Sequence, residues 1–344
     1  MNALARLQPV VTSALPVSPE GYGSLAIGKS GRTLVWGTEW EKECDLVFVD
    51  LVTGEVQRRV REVAANGLVA RPSGFFVADA GHRRGRAEEP SRLLELGEDG
   101  TVLRVVPMDG RGSLQSVSPD GASVAFFADR HLVIRTWPDM HERASLAGLR
   151  PRIEWQSERM FCWDGARYEV RSIAGDAAVI RIDTLEPIYP AAKGVASSSL
   201  SGLVLYGLRT PWTRRLTASS DKRISESVGD GGTVRACVGQ TLHRFVVNLR
   251  SGELLHSTSV ELPHDPFAPG GYDDRVFWHP KLDALLVHQR DRYWLCSVDG
   301  SKLLELPDDA RPEAWFDDGR ALLVTYPNAN DQLLPFEVWR SKDG

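Results

Sequence analysis

One phrase recurs along the chain and constrains its fold more than any other feature. It consists of an apolar residue, a short polar turn, and three apolar residues that begin seven positions after the first. Each copy predicts a strand, a tight turn and a buried strand, because Ser-Gly, Asp-Gly or Pro-Lys at the corner lets the chain reverse. Four copies match without gaps, at residues 27–36, 117–126, 278–287 and 315–324. Less regular copies centre on Ser73-Gly74, Ser157-Glu158, Ser201-Gly202 and Gly231-Gly232.

The spacing of these eight turns predicts an all-β chain folded as a β-propeller. The turns recur with a loose period of about 40 residues, which is the length of a four-stranded blade. Several units also carry a second pair of strands joined by good hairpin turns at Gly54, Gly100 and Gly252. Eight blades are therefore expected. Seven remain the alternative, because only 30 residues separate the turns at Gly202 and Gly232.

The two ends of the chain are expected to share one blade. The last copy of the phrase offers three strands before residue 344, and residues 7–15 can supply the missing outer strand. Such a strand would close the ring and remove an exposed sheet edge. We accordingly divide the chain into an N-terminal segment, residues 1–20, and a single propeller domain, residues 21–344.

The phrases, above all Val117-Ser-Pro-Asp-Gly-Ala-Ser-Val-Ala-Phe126, resemble the strand-turn-strand repeat of the WD40-like propellers, including the TolB-type family. The resemblance extends from about Gly21 to Arg340 and implies the fold, since propellers host enzymes, receptors and scaffolds alike. The chain departs from the strict WD40 pattern. Its one Trp-Asp pair, Trp163-Asp164, is placed at the end of a second strand, and its one Gly-His pair is Gly81-His82.

Composition and targeting signals favour a cytoplasmic protein of bacterial type. The 344 residues carry a formal charge of −5, which argues against a general binder of polyanions. Residues 1–19 lack the apolar run of an export signal, and no stretch reaches the roughly 20 apolar residues of a membrane span. The four cysteines lie far apart without a Cys-x-x-Cys pair, so we expect them to be reduced.

Loops between the second and third strands of the blades are the expected place for a site, because the sheets only position them. Several of these loops carry arginine, and a ring of guanidinium groups around one mouth would suit a carboxylate or a phosphate. Acidic residues in the same loops offer the alternative of a neutralised, solvated surface. The arginines concerned are Arg83, Arg84, Arg86, Arg130, Arg209, Arg290 and Arg292.

Residues 209–223 form a basic segment with an aromatic side chain among its charges. Such a segment could hold phosphates and stack a base, or contact a protein, since Trp and Arg are enriched at interface hot spots. The sequence favours an edge strand or a surface loop, whose positive charges discourage strand pairing, over a nucleic-acid site. Two tryptophans that lie in loops with charged neighbours, Trp40 and Trp212, are further contact candidates.

Neither a metal nor a catalytic centre is expected, and no cofactor. The densest His/Asp cluster comprises His264, Asp265, Asp273, Asp274, His279 and His288. His279 takes the turn position that Ser118 and Phe316 fill in sister repeats, which indicates a structural role. The chain has no Gly-x-Ser-x-Gly elbow, phosphate loop or dinucleotide fingerprint.

The sequence thus favours a non-enzymatic interaction or scaffold module that presents a loop-built face to a protein partner or a multi-subunit complex. The alternatives are a small-ligand or glycan sensor, a lyase- or lactonase-like enzyme at the central channel, and a nucleic-acid-associated subunit. A membrane partner is not expected. The candidate partner-binding residues are Trp40, Arg83, Arg84, Arg130, Arg209, Trp212, Arg214, Arg215, Arg290 and Arg292.

Overall fold

A computed structural model describes most of the chain, and its secondary structure is almost entirely strand. Among the described residues it contains 32 strands and one 3₁₀ turn, Leu4–Arg6. The described residues are 4–15, 25–37, 45–61, 63, 65–79, 92–108, 113–174, 179–218, 223–229, 231–262, 276–289, 292–297, 299, 301–316, 318–326 and 333–341.

The strands form eight four-stranded antiparallel sheets, which are the blades of a β-propeller. Eight blades, and not the alternative of seven, are therefore confirmed. The chain divides into two compact units. We call them the terminal unit, Leu7–Ser145 with Asp309–Gly344, and the middle unit, Met1–Arg6 with Leu146–Asp308.

The terminal unit contains four blades. They are blade 8 (β1, Leu7–Leu15, with β30, Arg311–Trp315, β31, Ala321–Thr325, and β32, Leu334–Ser341), blade 1 (β2, Leu25–Ile27; β3, Thr33–Gly37; β4, Asp45–Asp50; β5, Val56–Arg61), blade 2 (β6, Ala65–Arg71; β7, Gly74–Asp79; β8, Arg92–Leu96; β9, Val102–Pro107) and blade 3 (β10, Ser113–Val117; β11, Ser123–Ala128; β12, His131–Thr136; β13, Glu142–Ala147).

The middle unit contains the other four blades. They are blade 4 (β14, Leu149–Glu154; β15, Arg159–Trp163; β16, Tyr168–Ser172; β17, Ile180–Ile182), blade 5 (β18, Tyr189–Ala192; β19, Val195–Ser198; β20, Val204–Gly207; β21, Thr213–Arg215), blade 6 (β22, Ile224–Val228; β23, Thr233–Val238; β24, Thr241–Asn248; β25, Glu253–Glu261) and blade 7 (β26, Phe277–Trp278; β27, Ala284–Gln289; β28, Arg292–Ser297; β29, Lys302–Glu305).

The expected outer strand of the last blade is confirmed. β1 pairs antiparallel with β32 from Leu7 opposite Ser341 to Leu15 opposite Leu334. Leu15 is fully buried, in a cluster with Leu34 of blade 1 and Phe336 of β32. The N-terminal strand therefore completes both the sheet and the core of blade 8.

The apolar triplets of the repeated phrase are strands that are buried on both faces. Every residue of β3, β20 and β31 is buried, and each of these strands lies between two neighbours in its own sheet. Their side chains contribute to apolar clusters. Clusters of this kind fill the space between blades 1 and 2 and between blades 5 and 6. Burial on both faces explains why these strands read as continuous apolar runs.

Antiparallel order gives every blade two distinct ends. The turns between its first and second and between its third and fourth strands lie at one end, which we call the corner end. The loop between its second and third strands lies at the other, which we call the loop end, and the chain also enters the first strand there. Seven of the eight repeat turns that the sequence predicts are first corners in the structure.

The predicted turn at Ser201-Gly202 is not a first corner, and this expectation was wrong. Ser201 and Gly202 lie between β19 and β20, at the loop end of blade 5. The true first corner follows Ala192 and contains Gly194, whose φ is +73°. The segment 209–212, predicted to be a loop-end connection, consequently joins β20 to β21 at the corner end. A misassigned turn, and not a reduced blade, explains the short spacing in the sequence.

Polar groups link neighbouring blades at their corner ends. The buried carboxylate of Glu154, which ends β14, accepts N–H groups of Gln156 and Ser157 in its own turn and, at 2.8 Å, that of Gly194 in blade 5. Between blades 6 and 7, the buried Arg235 donates at 3.1 Å to the carbonyl of His279. Each link satisfies backbone groups that the corner leaves unpaired.

Candidate partner-binding surface

The loop ends of blades 4 and 5 carry the cluster that we consider the candidate site. We call it the loop-end surface and define it by Leu149, Arg150, Arg152, Trp163, Leu185, Glu186, Tyr189, Leu200, Ser201 and Arg215. All of these residues belong to the middle unit.

Arg150 and Trp163 form its first part. Leu149 pairs with Trp163 across β14 and β15, and a bulge follows Leu149 in β14. Arg150, with φ at +50°, lies in that bulge, and its Cζ stands 4.8 Å from the centre of the Trp163 ring. Its Nη1 also donates to the carbonyl of Leu185 at 3.5 Å. The bulge therefore turns an arginine onto an aromatic ring at the edge of the blade.

The tight turn after Trp163 holds this tryptophan in place. An Asp164 carboxylate oxygen accepts the N–H groups of Ala166 at 2.9 Å and of Arg167 at 3.0 Å. These hydrogen bonds, that of Ala166 first, lower the pKa of Asp164. As predicted, Trp163 ends a second strand, so its Trp-Asp pair is a loop-end turn.

A serine-bound carboxylate joins the two blades at this end. Glu186, between β17 and β18, accepts hydrogen bonds from the hydroxyls of Ser198, at 2.6 Å, and Ser201. Burial is the largest single influence on its pKa and would raise it, but the two serine hydrogen bonds and the charge of Arg215 prevail, so the pKa is lowered. Glu186 therefore fixes the β19–β20 turn as an ionised acceptor.

The same end exposes large apolar side chains. Leu185 is 75% exposed and Leu200 is 68% exposed, the two highest values among the large hydrophobic residues that the structure describes. Tyr189 is 45% exposed, and Arg152 stacks over its ring with Cζ 4.8 Å from the ring centre. Tyrosine, tryptophan and arginine are the residues enriched at interface hot spots, and the exposed leucines add apolar area beside them.

Of the arginines predicted from the sequence, Arg215 lies on this surface. Arg215 ends β21, opposite Val204, and donates to the carbonyl of Ser201 at 3.4 Å. Arg214 reaches away from it, to the carbonyl of Gly252 in blade 6 at 2.7 Å. Arg209 is exposed at the corner end, where its side chain lies beside Gly194. The expected ring of arginines at one mouth therefore does not include Arg209.

The other predicted candidates have different surroundings. Arg130 is exposed in a two-residue turn between β11 and β12 in which both residues have positive φ. Arg292 is paired with Glu305 and Asp308, at 2.6 Å each. Trp212 is half-buried, and a Cβ added to Gly252 would meet its ring. Arg83, Arg84, Arg86, Arg290 and Trp40 lie outside the described residues.

The basic segment is an outer strand over part of its length. β21, Thr213–Arg215, is the outermost strand of blade 5, as the edge-strand interpretation of this segment predicted. Arg214 and Arg215 each donate to a backbone carbonyl, and Trp212 turns its ring toward the protein. Trp212, which the nucleic-acid interpretation would use to stack a base, therefore packs beside Gly252 of blade 6. Arg214 and Arg215 each keep further donors.

The histidines and cysteines that the structure describes are engaged in packing and turns. The ring Nδ1 of His279 accepts the N–H of Leu282 at 2.8 Å, so this residue fills the turn position expected for it. Within the described part of the chain, no three His, Cys, Asp or Glu residues are grouped to hold a metal. Cys162, Cys237 and Cys296 are buried, and burial raises the pKa of Cys296 to about 11. Cys44, His264, Asp265, Asp273 and Asp274 lie outside the described residues.

The described residues contain no helix that is both long and apolar enough to cross a membrane. No protein-family model and no curated protein matches the sequence.

Solved structures resemble the chain in fold. One is a computationally designed protein, Ika8, with a TM-score of 0.60 and 13% identity over 95% of this chain and 99% of that one. A eukaryotic initiation factor has a TM-score of 0.53 and 11% identity over 92% of this chain and 88% of that one. The β-propeller domain of Cps50 (Swd1) from Myceliophteria thermophila has a TM-score of 0.49 and 13% identity over 94% and 98%. The likenesses to Ika8 and to the initiation factor are likenesses of fold alone.

The sequence did not indicate most of the loop-end surface. Leu185 and Leu200 lie in short connections whose sequence resembles any loop, and Leu200 adjoins the turn that was misassigned. The contact between Arg150 and Trp163 depends on the bulge in β14, which sequence spacing does not reveal. The one available signal for this surface was the presence of leucines in connections between strands, where no predicted strand would bury them.

Proposed function

We propose that the protein is a non-catalytic interaction module that binds a partner protein through the loop-end surface of blades 4 and 5. The observation that carries this proposal is the pair of strongly exposed leucines beside two arginine-stacked aromatic rings. Monomeric proteins rarely expose such groups together without a use for them. The WD40-like fold is compatible with this role, although the fold alone does not assign it.

Site-specific photo-crosslinking in cells that produce the full chain tests the proposal. A benzoylphenylalanine at Leu200 is expected to give a discrete crosslink to another protein. The same group at Val102, which is 45% exposed on the outer strand of blade 2, serves as the control and should give none. A further prediction is that Leu185→Ser weakens the crosslink from position 200, and that neither Leu185→Ser nor Leu200→Ser lowers the melting temperature.

Two results would contradict the proposal. Equal crosslinking from Leu200 and Val102 would remove the loop-end surface as a specific interface. Turnover of a small molecule by the purified chain, unchanged by the two leucine substitutions, would favour the enzymatic alternative over an interaction module.

A further inference from the structure

We infer that the loop-end surface binds an acidic, partly apolar segment of its partner, with a carboxylate on Arg150 and Arg152 and an aliphatic or aromatic side chain on Leu185 and Leu200. This inference rests on the proposed function and adds the chemistry of the bound segment.

Unneutralised guanidinium groups indicate the carboxylate. Arg150 and Arg152 each stack on an aromatic ring, and in the described part of the chain neither is paired with an acidic side chain. Their recorded hydrogen bonds go to the carbonyls of Leu185 and Pro151, one each. A guanidinium has five donors, so most of them remain for a ligand, and the planar fork matches a carboxylate.

Other arginines of the chain are neutralised by a paired carboxylate. Arg71 is paired with Glu95, and Arg92 with Asp79 at 2.7 Å. These arginines stabilise the sheets of blade 2 in which they lie. Arg150 and Arg152 differ from them because no described carboxylate pairs with either, and the rings on which they stack leave the edge of each guanidinium open.

The exposed leucines favour a protein segment over a nucleic acid or a free phosphate. Leu185 and Leu200 offer aliphatic surface, whereas single-stranded nucleic acids stack on aromatic faces. Trp163 and Tyr189 already hold an arginine over one face. The two leucines are joined through Glu186, which follows Leu185 and accepts from Ser201, the neighbour of Leu200. The apolar and cationic groups therefore lie at the same end of two neighbouring blades.

Glu186 makes the blade 5 side of the loop-end surface differ in charge from the blade 4 side. Its carboxylate faces Ser198, Ser201 and Arg215 on the blade 5 side, while Arg150 and Arg152 belong to blade 4. A ligand carboxylate is repelled from the Glu186 side and attracted to the blade 4 side. The bound segment should therefore place its acidic residue over blade 4 and its apolar residue toward blade 5.

Selection of peptides against the immobilised full chain tests the inference. Random 12-residue peptides displayed on phage should be enriched for Asp or Glu together with Leu, Ile, Phe or Trp. A fluorescein-labelled synthetic copy of an enriched peptide should bind the chain in fluorescence anisotropy. Reversing both charges, with Arg150→Glu and Arg152→Glu, should weaken its binding about tenfold or more, as expected for the loss of charge-assisted hydrogen bonds.

A matched pair of variants controls for net charge. Arg59 and Arg61 lie exposed on β5, the outer strand of blade 1, and have no ion pair within the described residues. Arg59→Glu with Arg61→Glu changes the total charge by the same amount, and it should leave the peptide affinity within about twofold because neither arginine belongs to the loop-end surface.

The outcomes separate this inference from the proposed function. Neutral or basic peptides that bind and lose affinity with Leu185→Ser and Leu200→Ser would overturn the inference and leave the interaction module intact. Failure to enrich any peptide that depends on this surface would count against both. Binding of labelled single-stranded RNA that is lost with Arg150→Glu and Arg152→Glu, without peptide binding, would replace the acidic segment by a nucleic acid.

Discussion

Glu154 is a buried carboxylate on which two corners of the middle unit depend. Its oxygens accept backbone N–H groups of Gln156, Ser157 and Gly194 as well as the hydroxyl of Ser157. Because these partners are donors, an amide nitrogen in place of one oxygen would face a donor and leave it unpaired. A buried donor without a partner costs about 1–3 kcal/mol.

Glu154→Gln is therefore expected to lower the free energy of unfolding by about 1–3 kcal/mol. Urea denaturation followed by tryptophan fluorescence measures the change. Glu253→Gln, at an exposed position on β25, is the matched control and should shift stability by less than about 0.5 kcal/mol. Equal effects of the two substitutions would show that the carboxylate at 154 does not hold the corners.

Two tyrosines differ in whether their hydroxyl group has a partner. Tyr168 is fully buried, and its hydroxyl has no hydrogen-bond partner within the described residues. The hydroxyl of Tyr326 donates to Glu337 at 2.6 Å. We expect Tyr168→Phe to be neutral or stabilising and Tyr326→Phe to cost about 1.5–3 kcal/mol, the worth of a hydrogen bond to a charged group. Melting curves of both variants at pH 7 give the comparison.

Tyr326 also makes stability depend on pH in the alkaline range. Burial above all, and then the hydrogen bond to Glu337 and its charge, raise the pKa of Tyr326. The folded chain keeps this proton where the unfolded chain loses it. The contribution is therefore complete below about pH 10, the usual phenol pKa, and is lost as pH rises above it. The stability difference between the wild type and Tyr326→Phe should shrink above pH 10, and a difference that grows there would contradict the assignment.

At the scale of elements, the corner turns use positive φ with different amounts of free space. Gly121 and Gly232 end first corners of blades 3 and 6 with φ of +73° and +82°. A Cβ on Gly121 would have its nearest neighbour, Pro72, at 3.8 Å, whereas a Cβ on Gly232 would overlap the carbonyl oxygen of Val247. An alanine would therefore strain the backbone at both positions, but its Cβ would overlap a neighbouring atom only at position 232.

Gly121→Ala should cost about 1–2 kcal/mol, the price of the left-handed conformation alone. Gly232→Ala should cost more, because the backbone of β24 must also move. Thermal unfolding of the two variants gives the difference, and circular dichroism checks that each remains folded. Similar losses would mean that strain alone governs these turns.

Turn chemistry explains both what could be predicted from the sequence and what could not. Seven first corners were located because a short polar turn, which is Ser-Gly or Asp-Gly in four of them, precedes a buried apolar triplet. The first corner of blade 5 was misassigned because Ser201-Gly202, at the loop end, is followed by the apolar triplet Leu-Val-Leu. The true corner, at Gly194, is followed by Val-Ala-Ser. Both ends of a blade need a tight reversal, so turn residues alone do not tell them apart.

The candidate site was less predictable for a similar reason. Arg215 was named from its basic segment, but Arg150 and Arg152 drew no attention in a strand where exposed arginines are ordinary. Their significance arises from two stacking contacts made by the bulge of β14 and by the approach of β18 in the next blade. Contacts between blades follow from packing, which single-sequence patterns do not contain.

At the scale of the whole molecule, β1 ties the two ends of the terminal unit together. Leu15 is fully buried in the core of blade 8, whereas Val10 on the same strand is 47% exposed. Leu15→Ala should lower the free energy of unfolding by about 2–5 kcal/mol, the usual cost of such a cavity. Val10→Ala should change it by less than about 0.5 kcal/mol. Chemical denaturation of both variants measures the contrast, and equal small effects would show that β1 contributes little to the core.

The pairing of β1 with β32 also sets the order in which the molecule can be completed during synthesis. Thr12 and Glu337, which face each other across these strands, are 325 residues apart. At translation rates of 5–20 residues per second, β1 waits roughly 15–60 s for its partner. Until then Leu15 has no sheet to enter, and the face of blade 1 that carries Leu34 and Val49 is uncovered. A nascent chain of this protein therefore exposes aggregation-prone surface from the synthesis of blade 1 until that of β32, and its yield should depend on how quickly β30, β31 and β32 leave the ribosome.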